Sequence, residues 1–368
     1  MKCGNGYYNA TDCPPPSPTS ASLLAVTNAT SGTIDMLTID TRTGVPTPIV
    51  GNPLPDGPAA SAVAIDPHKR FLYVSSLSGE VRGYVIDPST LQLYPAMGSP
   101  FATSAEAAAI AIDPGGQLVL TANGSANTVS IFEIENTSPC GSCYLQYGTL
   151  GEAKDSPHAA GAGPSVIVAT TQYVYAVNTS GRSISVYRFD TQNDSGFGSL
   201  TAVMGSPFPT AGSPNGLVVD PTGTHVYTTE SQPNEVSGFT VDGTSGSLTP
   251  ISGSPFAASY AIRSPVMDAN GMRLHAANGT DVDCFLVDSR TGALSEIGLS
   301  YTKGHAIALA LDGPDNFLYA LDDVDNQVEV FSIDPADGSL TLINGSPFAL
   351  FPGAGGQSLG ANAIAVRH

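Results

Sequence analysis

Basic residues are scarce: 13 Lys and Arg stand against 32 Asp and Glu, a formal net charge of −19. A surface of that sign repels phosphate backbones and anionic lipid headgroups at long range, which excludes nucleic acid and membrane surfaces as partners. No apolar run approaches the roughly 20 residues that a membrane-crossing helix needs, and the first 20 residues hold no apolar stretch of the signal-peptide kind. Helical spacing is missing too, because no window sets apolar residues three and four apart between caps. Cysteines number five. Cys3 and Cys13 form one close pair, Cys140 and Cys143 another within CGSC, and Cys284 stands alone. The CGSC has no second pair for zinc and no flanking βαβ pattern for thioredoxin-type redox chemistry. Structural loop disulfides in an oxidising compartment are therefore expected for Cys140–Cys143 and Cys3–Cys13.

What is present is a repeat. With 41% hydrophobic residues the chain can bury a large core. The tetrapeptide Gly-Ser-Pro-Phe occurs at 98–101, 205–208, 253–256 and 345–348, and aligning on it brings the remaining sequence into register. Each unit opens on a small, apolar run ending in an acidic turn, as in Ala62-Val63-Ala64-Ile65-Asp66-Pro67. A second run such as Phe71-Leu72-Tyr73-Val74 follows, then an alternating one such as Thr128-Val129-Ser130-Ile131-Phe132, and a fourth such as Ser339-Leu340-Thr341-Leu342-Ile343. Val, Ile, Tyr, Phe and Thr at period two between Asp-Pro and Asp-Gly turns are β-strands. Four strands per unit, repeated radially, predict an all-β, seven-bladed β-propeller with four antiparallel strands per blade.

The count comes from the unit starts near Ala60, Ala107, Ser165, Asn215, Ser264 and Ala306, which give six complete blades (blades 2 to 7). Residues 23–50 supply a second, third and fourth strand without a first, and the missing strand stands at Ala361-Asn362-Ala363-Ile364-Ala365-Val366. The C-terminal strand is thus expected to complete the N-terminal blade and close the ring. Gly-Ser-Pro-Phe is expected where the outer strand ends and the chain crosses to the next blade, with Phe wedged between blades. Blade 3 replaces it with Asp155-Ser156-Pro157-His158 and blade 6 with Gly298-Leu299-Ser300-Tyr301, marking those crossings as altered.

The consensus AIAIDP, LYVAN, NTVSVFSID and GSPF resembles the lactonase-type seven-bladed propellers, relatives of bacterial 6-phosphogluconolactonase and fungal muconate-lactonizing enzymes, over about residues 20–368. The resemblance implies an Arg-His pair heading an inner strand and a Glu on the loop that follows. Blade 5 begins instead Pro214-Asn215-Gly216-Leu217, and blade 4 Pro164-Ser165-Val166. The opening MKCGNGYY and the Pro-rich stretch after Cys13 are similar to the anchor cysteine and tether of a bacterial lipoprotein. Residues 1–20 are accordingly expected as a flexible tether, 21–368 as one domain, the location as extracytoplasmic, and membrane contact only through a lipid anchor at Cys3, which would stand in place of a Cys3–Cys13 bridge. Eight Asn-x-Ser/Thr sequons, Asn28, Asn123 and Asn278 among them, fit a secreted glycoprotein or, more plainly, turns.

If inner strands run from the top face downward, the top carries the blade crossings and the loops between second and third strands. Glu230 of blade 5, Arg263 of blade 6 and His305 of blade 7 then share the top rim. A general base at His305, an oxyanion or carboxylate holder at Arg263 and an orienting Glu230 would suit lactone hydrolysis; the alternative is three rim residues making local ion pairs. Asn215, His158 and Asn278 are further binding candidates on that face. Asp322, Asp323 and Asp325, with Asp281 and Asp283, offer hard oxygen ligands for Ca²⁺ or else a solvated acidic rim; no other cofactor is indicated. Two functions follow: a top-face module binding a small-molecule lactone, carbohydrate or protein, or a lactone hydrolase.

Overall fold

The computed structural model describes residues 21–135, 147–190, 198–302, 304–350 and 361–367. All regular structure in them is β, arranged as seven small antiparallel sheets in a ring, a seven-bladed β-propeller. Blade 1 contains β1 (Ser22–Asn28), β2 (Thr33–Ile39) and β3 (Pro46–Pro48), with β34 (Ala361–Arg367) as its inner strand. The closure expected from the sequence is therefore present. Leu24 faces Val366 and Val26 faces Ile364 across the β1–β34 ladder. Cys3, Cys13, Cys140 and Cys143 lie outside the described residues.

Small and β-branched residues make the inner strands narrow enough to crowd around an axis. Apolar side chains on the flanking strands fill the wedge between each blade and the next. Tyr73 and Val81 of blade 2 pack with Ile110 and Val119 of blade 3, and Leu24 and Val26 of blade 1 pack with Tyr319 and Val328 of blade 7. Polar ties cross the same layers. Tyr73, Tyr227 and Tyr319, each on a second strand, donate to the carbonyls of Gly148, Gly292 and Gly44 in the turns between the third and fourth strands of the following blades, at 2.9, 2.8 and 3.2 Å. Gly44 has φ 73°, and a Cβ there would lie 2.5 Å from Phe317 of blade 7. Glycine is needed both for the turn and for the close approach.

The structure corrects the expectation for Gly-Ser-Pro-Phe. The motif does not end the outer strand but interrupts it. In blade 2, β8 (Leu93–Pro95) pairs with one half of β7 (Glu80–Ile86), and β9 (Phe101–Ala102) pairs with the other half of the same strand. Between them the chain loops out through a cis Ser99–Pro100 bond, and the Ser99 hydroxyl accepts the Gly83 N–H at 3.0 Å. Ser206, Ser254 and Ser346 accept from Val186, Gly238 and Val330, each at 2.9 Å, while Asn52 serves Met36 in blade 1. The serine therefore replaces the ladder bond that the loop removes. The expected wedge by Phe does hold: Phe208, Phe256 and Phe348 pack into the interblade layers. Blade 3 keeps the device, since Ser156 accepts the Ile131 N–H at 3.0 Å. Blade 6 does not, and its fourth strand β28 (Leu294–Tyr301) runs unbroken.

Blade 6 differs in its core as well. His275 occupies the second-strand position of Tyr73 and lies opposite the buried free thiol of Cys284. Neither of its ring nitrogens has a hydrogen-bond partner among the described residues, and the side chain is fully buried. Burial lowers its pKa from 6.5 to about 4, an effect opposed by Asp268 and reinforced by Arg273.

Two outcomes follow for stability. Ser254→Ala leaves the Gly238 N–H without its acceptor and should cost about 1–3 kcal/mol in urea unfolding; an unchanged midpoint would show that the hydroxyl does not stand in for the ladder. As pH falls from 6.5 to 4, the unfolded chain protonates His275 while the native chain does not, so native stability should drop by about 3 kcal/mol across that window. His275→Phe should flatten this part of the pH–stability curve, and a variant retaining the full slope would assign it to other groups.

Candidate functional site

In every blade the head of the inner strand, the end of the second and the start of the third lie together, as Ala306 with Asp322 and Asp322 with Gln327 show in blade 7. Glu230, Arg263 and His305 all belong to this end, on consecutive blades, but they are put to different uses.

His305 immediately precedes β29 (Ala306–Leu311). Its Nδ1–H donates to Asp323 Oδ1 at 2.6 Å, with the two side chains 40% and 35% exposed. The carboxylate can only accept, so this bond fixes the tautomer and leaves Nε2 as a base. Nε2 has no partner among the described residues. A Cβ on Gly279, whose φ is +93°, would lie 3.1 Å from Nε2, so the absence of a side chain in that loop keeps the nitrogen uncovered. Gly279 also donates its N–H to the Ala306 carbonyl at 3.1 Å, which ties the blade 6 loop to the strand that His305 leads. Arg263 opens β25 (Arg263–Met267) on the neighbouring blade; the residue is exposed, and its side chain makes no hydrogen bond or ion pair among the described residues.

Glu230 is fully buried. Its carboxylate accepts the Gly212 N–H and, at 3.4 Å, the Thr228 hydroxyl. Burial pushes its pKa up, against hydrogen bonds from Ser237 and Gly212. A Cβ on Gly212 would come within 2.6 Å of Glu230 Oε2. Glu230 thus clamps the crossing from blade 4 to blade 5, much as Asn178 of blade 4 bonds Ser183 and Ser185 beneath its own crossing. The group that orients His305 is Asp323, which sequence reasoning had grouped with metal ligands. The available signal was register: Asp323 follows the residue paired with Ala306, and hence stands beside the residue before Ala306.

Asn215, Asn278 and Asp322 are occupied locally. Asn215 donates to the Ile262 carbonyl at 3.0 Å and accepts from Thr229 at 2.7 Å, linking blades 5 and 6. Asn278 closes its own turn, accepting from Asp281 N–H at 2.7 Å and donating to Asp283 at 2.9 Å. His158 takes the place of the motif phenylalanine on the outer strand of blade 3, where burial lowers its pKa; strand order and blade position keep it apart from His305. Asp322 accepts the N–H groups of Val324 and Asp325 and the amide of Gln327, Asp323 holds His305, and Asp325 is exposed. Asp281 is bonded to Thr280 at 3.0 Å, and burial raises Asp283 to about 6. Among the described residues, no three His, Cys, Asp or Glu side chains gather in a way that could hold a metal ion.

The family described as Lactonase, 7-bladed beta-propeller matches residues 21–349. No curated protein matches the chain. Among solved structures, the periplasmic gluconolactonase of Pseudomonas aeruginosa superimposes with a TM-score of 0.74 at 17% identity, covering 95% of this chain and 99% of that one. Candidate 6-phosphogluconolactonases of Bacteroides uniformis and Bacteroides fragilis give TM-scores of 0.75 and 0.76 at 19% and 18% identity, covering 95% and 96% of this chain and 100% of each of theirs. Such identities speak for the fold. The family match spans the ring from β1, the second strand of blade 1, to the broken outer strand of blade 7, and on that ground the chain belongs to the lactonase-type seven-bladed β-propeller family.

Proposed function

We propose that the strand-head end of the ring hydrolyses a sugar-type lactone, with His305 as general base. The observation that carries this reading is the short His305–Asp323 bond on a half-exposed imidazole whose Nε2 is unclaimed. In this reading Nε2 takes a proton from a water that attacks the lactone carbonyl carbon. Negative charge then develops on the carbonyl oxygen, and Arg263, a guanidinium without a partner among the described residues, stabilises it. The ring C–O bond breaks, the departing alkoxide takes the proton back from Nε2, and a hydroxy acid leaves. Asp323 keeps the imidazole in the productive tautomer and stabilises its protonated form. The names of the P. aeruginosa and Bacteroides relatives point to lactones of aldonic acids as the substrate class. Export is the second part of the proposal, supported by the periplasmic location in the name of the P. aeruginosa relative; recovery of the native chain from the cytosolic fraction would remove it.

A panel of sugar lactones and phosphorylated sugar lactones, corrected for spontaneous hydrolysis, tests the chemistry. His305→Ala should lower kcat/KM by about 10²–10⁴-fold, and Arg263→Ala by about 10²–10³-fold. Asp323→Asn should lower kcat while KM stays close to its value. Glu230→Gln should leave kcat intact and move only the unfolding midpoint. Undiminished turnover by His305→Ala would end the assignment. Saturable lactone binding without turnover would replace it with a ligand-binding module at the same end.

A further inference from the structure

The opposite end of the ring holds a cavity of about 690 Å³, within the range of small-molecule sites, roughly 300–1,000 Å³. Its origin is a difference in loop length. Between first and second strands, blades 2, 3, 5, 6 and 7 have the five-residue loops 66–70, 113–117, 220–224, 268–272 and 312–316, whereas blade 4 has only residues 170–172. In the longer loops a leading aspartate gathers the turn; Asp113 accepts the N–H groups of Gln117 and Leu118, and Asp220 those of Thr224 and His225. Blade 4 uses Thr170 instead, whose hydroxyl accepts the Tyr173 N–H and donates to its carbonyl, both at 3.0 Å. The space left by the shorter loop is walled by Pro114 of blade 3 and by residues 220–224 of blade 5.

The walls are held in place before any ligand arrives. Asp220 also accepts from Thr222 and Thr224 hydroxyls at 2.7 and 3.0 Å, so the carboxylate that borders the cavity is already engaged. Among the described residues no Lys, Arg or His lines it. What remains on offer is the Thr171 hydroxyl and the Gln172 amide, both exposed and without a hydrogen bond among the described residues, beside the half-buried Val168 and Val219. A ligand suited to this lining carries several uncharged donors and acceptors and one C–H face. A carboxylate or phosphate would find no counter-charge, and a cation would find an acidic group already saturated.

We propose that this cavity is a binding site for a neutral hexose, its ring face on Val168 and Val219 and its hydroxyls on Thr171 and Gln172. The site is separate from the lactone-hydrolysing end and does not rest on that reading.

Titration calorimetry on the full chain with D-glucose, D-galactose and D-mannose, and with gluconate as the charged control on the Arg263→Ala chain so that product binding at the other end does not enter, tests it. At least one hexose should saturate at millimolar concentration or below, and gluconate should not. Gln172→Ala should weaken binding about tenfold, the loss of one good hydrogen bond. Thr171→Trp, which places an indole in the opening, should abolish it, and His305→Ala should leave it unchanged. The proposal is overturned if none of the three hexoses saturates, if binding survives both blade 4 substitutions, if gluconate binds equally well, or if His305→Ala removes the hexose while Thr171→Trp does not.

Discussion

Every blade of this ring depends on having a neighbour on both sides. A single repeat unit cannot bury its apolar faces alone, and among the described residues those faces are covered by the adjoining blades, as the shared layers of blades 2 and 3 and of blades 7 and 1 show. The tyrosine hydroxyls that reach across to glycine carbonyls fix the spacing of those layers. A ring with this dependence has no natural end, and blade 1 resolves it by drawing β34 from one end of the chain and β1 from the other.

Polar groups near the strand heads divide accordingly into those that serve the ring and those left over. Glu230, Asn215 and Asn278 serve it: each spends its hydrogen-bonding capacity on a crossing, a neighbouring blade or its own turn. In blade 2 the buried Arg82 similarly holds Asp56 of the incoming crossing at 2.9 Å, with Tyr84 completing the carboxylate's partners at 2.6 Å. His305 and Arg263 are residual in this sense. Among the described residues, one has a nitrogen and the other a guanidinium that the architecture does not consume, and the proposed chemistry draws on those two groups.

The ring was legible in the sequence because period-two patterns and a recurring tetrapeptide report strand and blade directly, and closure followed from a blade that lacked its first strand. Less legible was the way Gly-Ser-Pro-Phe works. Nothing in the motif says that the two residues after its proline pair back onto the strand already paired with β8, and a serine that substitutes for a backbone acceptor looks like any loop serine. Glu230 was misleading for a related reason. Strand polarity assigns a residue to an end of the ring but not to the axis or the interior, and the lack of a side chain at Gly212 is what lets the glutamate fold inward. The Asp323 partner of His305 and the shortened blade 4 loop were open to reading, one through pairing register and the other by counting residues between strands.

The shared blade also governs how the protein comes into being. Asn28 and Ala361 are adjacent in the sheet yet far apart in the sequence, so they leave the ribosome some tens of seconds apart at about 5–20 residues per second. Throughout that interval β1 has no inner partner, and Leu24 and Val26 must wait beside nascent blades that could capture them. Synthesis, as well as the folded equilibrium, is then a stage at which this architecture depends on the two parts of blade 1 meeting.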